Sequence, residues 1–140
     1  MQRKDWVLLT IACAPKPVSP VQLQKSLFLL GQNMKAAVGK EFYKFKPYHY
    51  GPFDVRVYTD AEELAAAGLV EIQPAFGPWR RYRATEPGLQ RAQELRLSAP
   101  QAAKYLQDVL QWAQSLSFQE LIRAIYTRYP EYHANSVFQG

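Results

Sequence analysis

The sequence predicts a mainly α-helical chain with a small antiparallel β part. Three observations carry that prediction. First, a serine followed three residues later by Gln or Glu satisfies free amides at a helix start, and this capping box occurs at Ser19 with Gln22, Ser98 with Gln101 and Ser117 with Glu120. Second, apolar residues recur at helical spacing in two stripes, Leu106, Val109, Leu110, Ala113 and then Phe118, Leu121, Ile122, Ile125, Tyr126, Tyr129. Third, "LVEIQ" and "WRRYRA" alternate on either side of "PAFGP", as the strands of a β-hairpin do around a five-residue loop.

The elements follow in order. The opening "MQRKDWVLLTIACAPKP" imitates a secretory leader, but its apolar run is short, carries Trp6 behind Asp5 and is closed by prolines, so an amphipathic first helix is expected. Ser19 opens a second helix over about 20–38, with Pro20 at the favoured first position and Gly39 beyond its end. "EFYKFKPY" alternates Tyr43 and Phe45 with Lys44 and Lys46, a strand with one wet face that Pro47 and Gly51-Pro52 should end.

Asp54 then caps a helix over 54–67, and Gly68 stops it. In the hairpin, Tyr82 and Ala84 should face Val70 and Ile72 inward, which turns Trp79, Arg81 and Arg83 to solvent. Thr85 caps the next helix, "EPGLQRAQELRL", with Leu89 and Ala92 on its inner side. The last two helices should form an antiparallel pair. Three helices and a two-stranded wing make a winged-helix-like core over 1–97, and the helical pair over 98–140 extends it into one domain.

With 140 residues, 48% of them apolar and 14% aromatic, the chain can build one substantial core. A formal charge of +5 and a pI near 9.4 suit an acidic partner such as nucleic acid. The charge is patterned. The segment "DVRVYTDAEELAAA", where a winged helix reads bases, sets Asp54, Asp60, Glu62 and Glu63 against Arg56 alone. Acids there repel the phosphate backbone, and major-groove reading favours Arg, Lys, Asn and Gln. Cations collect elsewhere: Trp79, Arg80, Arg81 and Arg83 on the wing, with Lys44 and Lys46 on the short strand, are the candidate nucleic-acid contacts. The other reading of the wing is an edge strand protected from pairing by its charges. The wing is also a candidate homodimer surface.

Catalytic patterns do not emerge. His49 and His133 have no partner at metal-ligand spacing, and no phosphate-binding loop, dinucleotide fingerprint or nucleophile elbow occurs. The expectation is a non-enzyme with no cofactor and no metal. The single Cys13 permits no internal disulfide, and without a leader it points to a reducing cytoplasm. No stretch approaches the roughly 18 apolar residues of a membrane helix.

The densest cluster is "FKPYHYGPFDVRVY". Pro47 and Pro52 restrict the backbone on both sides of Gly51, and Tyr48, Tyr50 and Phe53 are expected to pack under the turn. His49, Tyr50, Arg56 and Tyr58 are the candidate contacts to a partner, since tyrosine and arginine tend to anchor interfaces.

The runs "VQLQKSLFLL", "FKPYHYGPF", "DAEELAAAGLVE" and "IYTRYPEYHANS", in that order, cover most of the chain. Together they resemble the YwgA-type prokaryotic proteins of unknown function and, more distantly, the Panacea (SocA-like) domain. The motifs that carry the resemblance are Gln22-Leu23-Gln24-Lys25, Tyr50-Gly51-Pro52 and Tyr129-Pro130. What the Panacea resemblance implies is a non-catalytic antitoxin or proteolysis adaptor, associated with mobile elements and phage defence, that binds a protein partner. The wing and the tail fit the YwgA-like group better. A DNA-binding regulator that uses its basic wing is the alternative.

Overall fold

The computed structural model describes residues 1–74, 80–133 and 136. Helix α1 (Arg3–Cys13) runs through the middle, with Trp6, Val7, Leu8, Leu9, Ile11 and Cys13 all buried. It is a central helix rather than an amphipathic surface one. Its polar residues tolerate burial because they have partners: Thr10 Oγ1 donates to the Trp6 carbonyl at 2.7 Å, and Asp5 accepts the Gln2 amide at 2.8 Å.

Helix α2 (Pro20–Asn33) starts at the expected capping box of Ser19 and Gln22. It stops five residues short of the predicted end. Asn33 Nδ2 donates to the Leu29 carbonyl and to Tyr105, which draws the last turn aside; Met34 leaves helical geometry, and a single turn, α3 (Lys35–Val38), follows before Gly39 at φ +74°.

The predicted strand before Pro47 is instead a small antiparallel ribbon, β1 (Lys46–Tyr48) paired with β2 (Gly51–Phe53). The prolines do not end it, because Pro47 faces Pro52 and a two-stranded ribbon needs few ladder bonds. Tyr43 and Phe45 still turn inward while Lys44 and Lys46 stay exposed. Helix α4 (Arg56–Ala66) follows, with Gly68 beyond its end at φ +80°. The wing, β3 (Val70–Gln73) with β4 (Arg81–Ala84), has the expected register, Val70 opposite Ala84 and Ile72 opposite Tyr82. Val18, between α1 and α2, exchanges two backbone hydrogen bonds of 2.9 Å with Tyr82 and so adds a one-residue third strand. Helix α1 packs on α2, α4 and β4, and α4 packs on β3, so three helices and this two-stranded hairpin share one core.

Thr85 caps α5 (Glu86–Ser98), whose inner face is Gly88, Ala92 and Leu95. Leu89, placed inward by the sequence reading, is 45% exposed, one position off the buried stripe. The second capping box does not form. Ser98 is still helical and donates to the Glu94 carbonyl, and α6 (Pro100–Gln114) starts with Ala99 at its cap. The stripe Leu106, Val109, Leu110 and Ala113 is buried as expected, and so are Leu121, Ile122, Ile125 and Tyr126 of α7 (Phe118–Arg128).

These two helices do not close on one another. Helix α6 packs on α1 and α2, α7 packs on β2 and on a closing 3-10 turn (Pro130–His133), and a groove of about 450 Å³ lined by Leu29, Val109, Trp112 and Tyr129 lies between them. Phe28 of α2 ties the chain's end to the core, with Tyr129 and Tyr132 edge-on at 4.9 and 4.8 Å. Among the described residues, no helix is long and apolar enough to cross a membrane.

Candidate interaction face

The β1–β2 ribbon is fastened to α2 by the side chains of two consecutive residues. Gln24 forms a pair of bonds with one residue's backbone: its Nε2 donates to the Asp54 carbonyl at 3.0 Å, and its Oε1 accepts the Asp54 amide at 3.1 Å. Lys25 Nζ donates to the Pro52 carbonyl at 3.1 Å. Gly51 sits over the lysine at φ +103°, where a Cβ would meet Lys25 Cε at 3.4 Å and the Tyr126 ring at 3.5 Å. The Gln-Lys and Gly-Pro motifs are thus two halves of one joint.

Asp54 shapes the far end. Its carboxylate accepts the Lys44 amide at 2.8 Å, the Arg56 amide at 2.9 Å and the Arg56 guanidinium at 2.6 Å. Burial opposes its ionisation, but the hydrogen bonds from Arg56 and Lys44 outweigh burial and hold the carboxyl below the usual carboxylate range. Asp54 therefore organises the start of α4 from two residues before it, with Val55 at the cap position. Asp60, in the middle of α4, is likewise consumed internally. It takes both arms of Arg3, at 2.9 and 3.1 Å, and the hydroxyl of Tyr43.

Two shallow grooves, each of about 520 Å³, meet at Lys44. One is bordered by Lys35, Lys40, Phe42 and Phe45, the other by Lys46, Tyr48, Phe53, Val55 and Arg56. Among the described residues, Lys35, Lys40, Lys44 and Lys46 form no ion pair, whereas Lys4 and Lys104 each reach a carboxylate. Tyr48 is 48% exposed and stacks on Phe53 at 4.9 Å, and Val55 is 61% exposed beside it. The floor of the face is aromatic and its rim is cationic.

The candidates read from sequence separate into two places. Lys44, Lys46 and Arg56 share this face; His49 is exposed in the turn, with its ring 4.2 Å from that of Tyr48. Tyr50 is exposed but leans edge-on against Phe118 at 5.3 Å. Tyr48 and Tyr50 thus do not pack under the turn as expected; Gly51 and Pro52 are the residues buried there, over Lys25. Tyr58 is half-buried with its ring edge-on to Phe53, and burial pushes its hydroxyl up to about 12. Its role is to support the face from beneath.

The wing cations lie elsewhere and mostly have acidic neighbours. Arg83 bonds Glu71 across the strands at 2.8 Å, Arg80 reaches Glu62 at 3.6 Å, and Arg81 donates to the Arg80 carbonyl. Trp79 falls outside the described residues. Sequence reading missed Lys35, Lys40 and Val55 as members of the face. The available signal was the run of lysines around Gly39, with Glu41 as the one acid among them.

Neither histidine nor the thiol is drawn into a reactive cluster. His133 stacks on Tyr126 at 4.3 Å. Cys13 is buried with Sγ 3.7 Å from the Ala103 carbonyl, and burial pushes its thiol up, away from the reactive thiolate. Among the described residues, no three His, Cys, Asp or Glu side chains are grouped to hold a metal ion. No protein-family model matches the chain, and no curated protein matches it.

Proposed function

We propose that this chain is a non-catalytic adaptor that docks an acidic segment of a protein partner on the β1–β2 face. One observation carries the reading: four lysines without ion pairs border two aromatic-floored grooves that meet at Lys44. Unpaired cations attract carboxylates from a distance and speed encounter, while Tyr48 and Val55 offer the exposed apolar anchors on which interface affinity usually rests. Lysines whose neighbouring arginine, Arg56, is held by Asp54, and which have a single amide, Gln32, in the same grooves, suit an acidic peptide better than base reading. The resemblance to Panacea-type and YwgA-type proteins supports an antitoxin-like or defence-associated role for such an adaptor, and a cytoplasmic setting belongs to the same proposal.

The test is affinity capture from the native host at low and moderate salt, with the wild type beside Lys35→Glu/Lys44→Glu/Lys46→Glu. The expected result is one stable, acidic partner whose affinity falls at least about tenfold in the triple variant, because each reversed charge meets a carboxylate at close range. A partner retained equally by both proteins would exclude this face.

The second reading is a DNA-binding regulator that uses the wing. Glu62 and Glu71 beside Arg80 and Arg83 work against it, since a phosphate entering there meets carboxylates as well as guanidinium groups. Arg80→Ala/Arg81→Ala/Arg83→Ala is expected to leave any electrophoretic shift of random duplex unchanged. Salt-sensitive duplex binding that disappears in this variant would install the wing reading instead.

A further inference from the structure

Lys25 stands apart from every other cation in the chain. It is 3% exposed, lies between α2, the β1–β2 ribbon and α7, and donates its hydrogen bond to the Pro52 carbonyl. An ammonium has three donors and a large hydration shell, so one carbonyl poorly replaces what water supplies. Among the described residues, the surroundings offer no counter-charge. Strand β2 contributes Gly51, Pro52 and Phe53, none of them titratable. Helix α7 contributes Tyr126, whose hydroxyl donates to Ser136. The turn carries His49, the closing 3-10 turn carries Glu131 and His133 at the surface, and the start of α4 carries Arg56, Tyr58 and the already engaged Asp54. Burial alone drives the Lys25 amine down to about 7.

We propose that Lys25 is a proton-sensitive latch for the β1–β2 ribbon: as a neutral amine it holds the Pro52 carbonyl in a closed joint, and on protonation it favours release of the ribbon so that the ammonium reaches water. The ribbon carries Lys46 and Tyr48, so release dismantles the groove shared with Val55 and Arg56. That consequence for docking rests on the proposed adaptor reading. The latch itself does not.

The sign follows from linkage. The closed state binds the Lys25 proton with a value of about 7, the open state near the free-lysine value of about 10.4, so opening becomes easier as pH falls between those values and levels off below the lower one. Hydrogen exchange on the full chain without any partner tests this. The reporters are the amide of Asp54, bonded to Gln24, and that of Lys44, bonded to Asp54.

After correction for intrinsic exchange, their opening constant is expected to rise about fifteen-fold from pH 8.5 to pH 7.0, and to change little from pH 6.5 to 5.5. In Lys25→Met the rise should vanish, while any pH response that does not come from Lys25 would survive. Reporters that do not respond in the wild type, or that respond equally in Lys25→Met, overturn the latch. Should Lys25→Met not fold, the Cε resonance of Lys25 in ¹³C-lysine-labelled wild type decides: titration together with the surface lysines overturns the proposal. Because no partner is present, this outcome is independent of the charge-reversal result above.

Discussion

Asp60→Ala is expected to lower the unfolding free energy by about 3 kcal/mol, measured by urea denaturation, because it takes the counter-charge from a partly buried cation and the short, charge-assisted hydrogen bond from a buried hydroxyl. Asp60 lies in the middle of α4 with its side chain almost wholly enclosed. Both arms of the Arg3 guanidinium reach it, and the Tyr43 hydroxyl donates to the same oxygen that accepts Arg3 Nε. Arg3 also lies over the Tyr43 ring, 5.4 Å from its centroid.

The three residues come from α1, from the segment before β1 and from α4, so the carboxylate joins elements 57 residues apart in the chain. Removing the acid leaves the Arg3 charge facing an aromatic ring, and leaves the Tyr43 hydroxyl only the longer bond to the Arg3 carbonyl at 3.3 Å. Arg3 is about one-third exposed and water can reach part of it, which places the expected loss at the lower end for a broken buried pair. A loss below about 1 kcal/mol would show that the cluster is solvated and contributes no more than a surface pair does.

Gly88→Ala should be comparably damaging for a purely steric reason. A Cβ at this position would stand 1.9 Å from the Leu69 carbonyl oxygen and 2.9 Å from its carbon. That oxygen accepts the Thr85 amide at 3.1 Å, and the Thr85 hydroxyl donates to Gly68 at 2.6 Å, so the obstructing backbone is itself fastened to the root of the wing. Nothing flexible can yield. Helix α5 must shift away from β3, at a cost of about 3 kcal/mol or more, the upper range for overpacking. The thermal midpoint reads this out, with Leu89→Ala as the control on the exposed side of the same helix, where a change within about 0.5 kcal/mol is expected. An alanine at 88 that melts with the wild type would mean that α5 sits farther from the wing.

Several features were legible because they depend on neighbours in the chain. Two of the three capping boxes form, and the wing register is the one that alternation of Val70, Ile72, Tyr82 and Ala84 demands. The box at Ser98 fails because the sequence pattern does not say whether the preceding helix has already ended; here α5 runs through Ser98, and Pro100 starts the next helix. The displacement of Leu89 from the inner face is a one-residue error in helical phase, and one residue rotates a side chain by about 100°.

For the candidate face, sequence supplied the residue types but not their pairing. Lys44 and Lys46 look no different from Arg80 and Arg83 in the sequence. Only the fold puts carboxylates beside the two arginines and leaves the two lysines with none.

Helical content, the caps at Ser19, Thr85 and Ser117, the wing and the separation of acidic from basic segments were determined by the sequence alone, since propensity, capping and alternation act over a few residues. The tertiary structure alone decided that Gln24 and Lys25 reach across 30 and 27 residues to hold Asp54 and Pro52, and that Lys25 loses its water in doing so. Desolvation and charge pairing depend on what surrounds a group in space, and for Lys25 those surroundings are assembled from α2, β2 and α7 only when the chain folds.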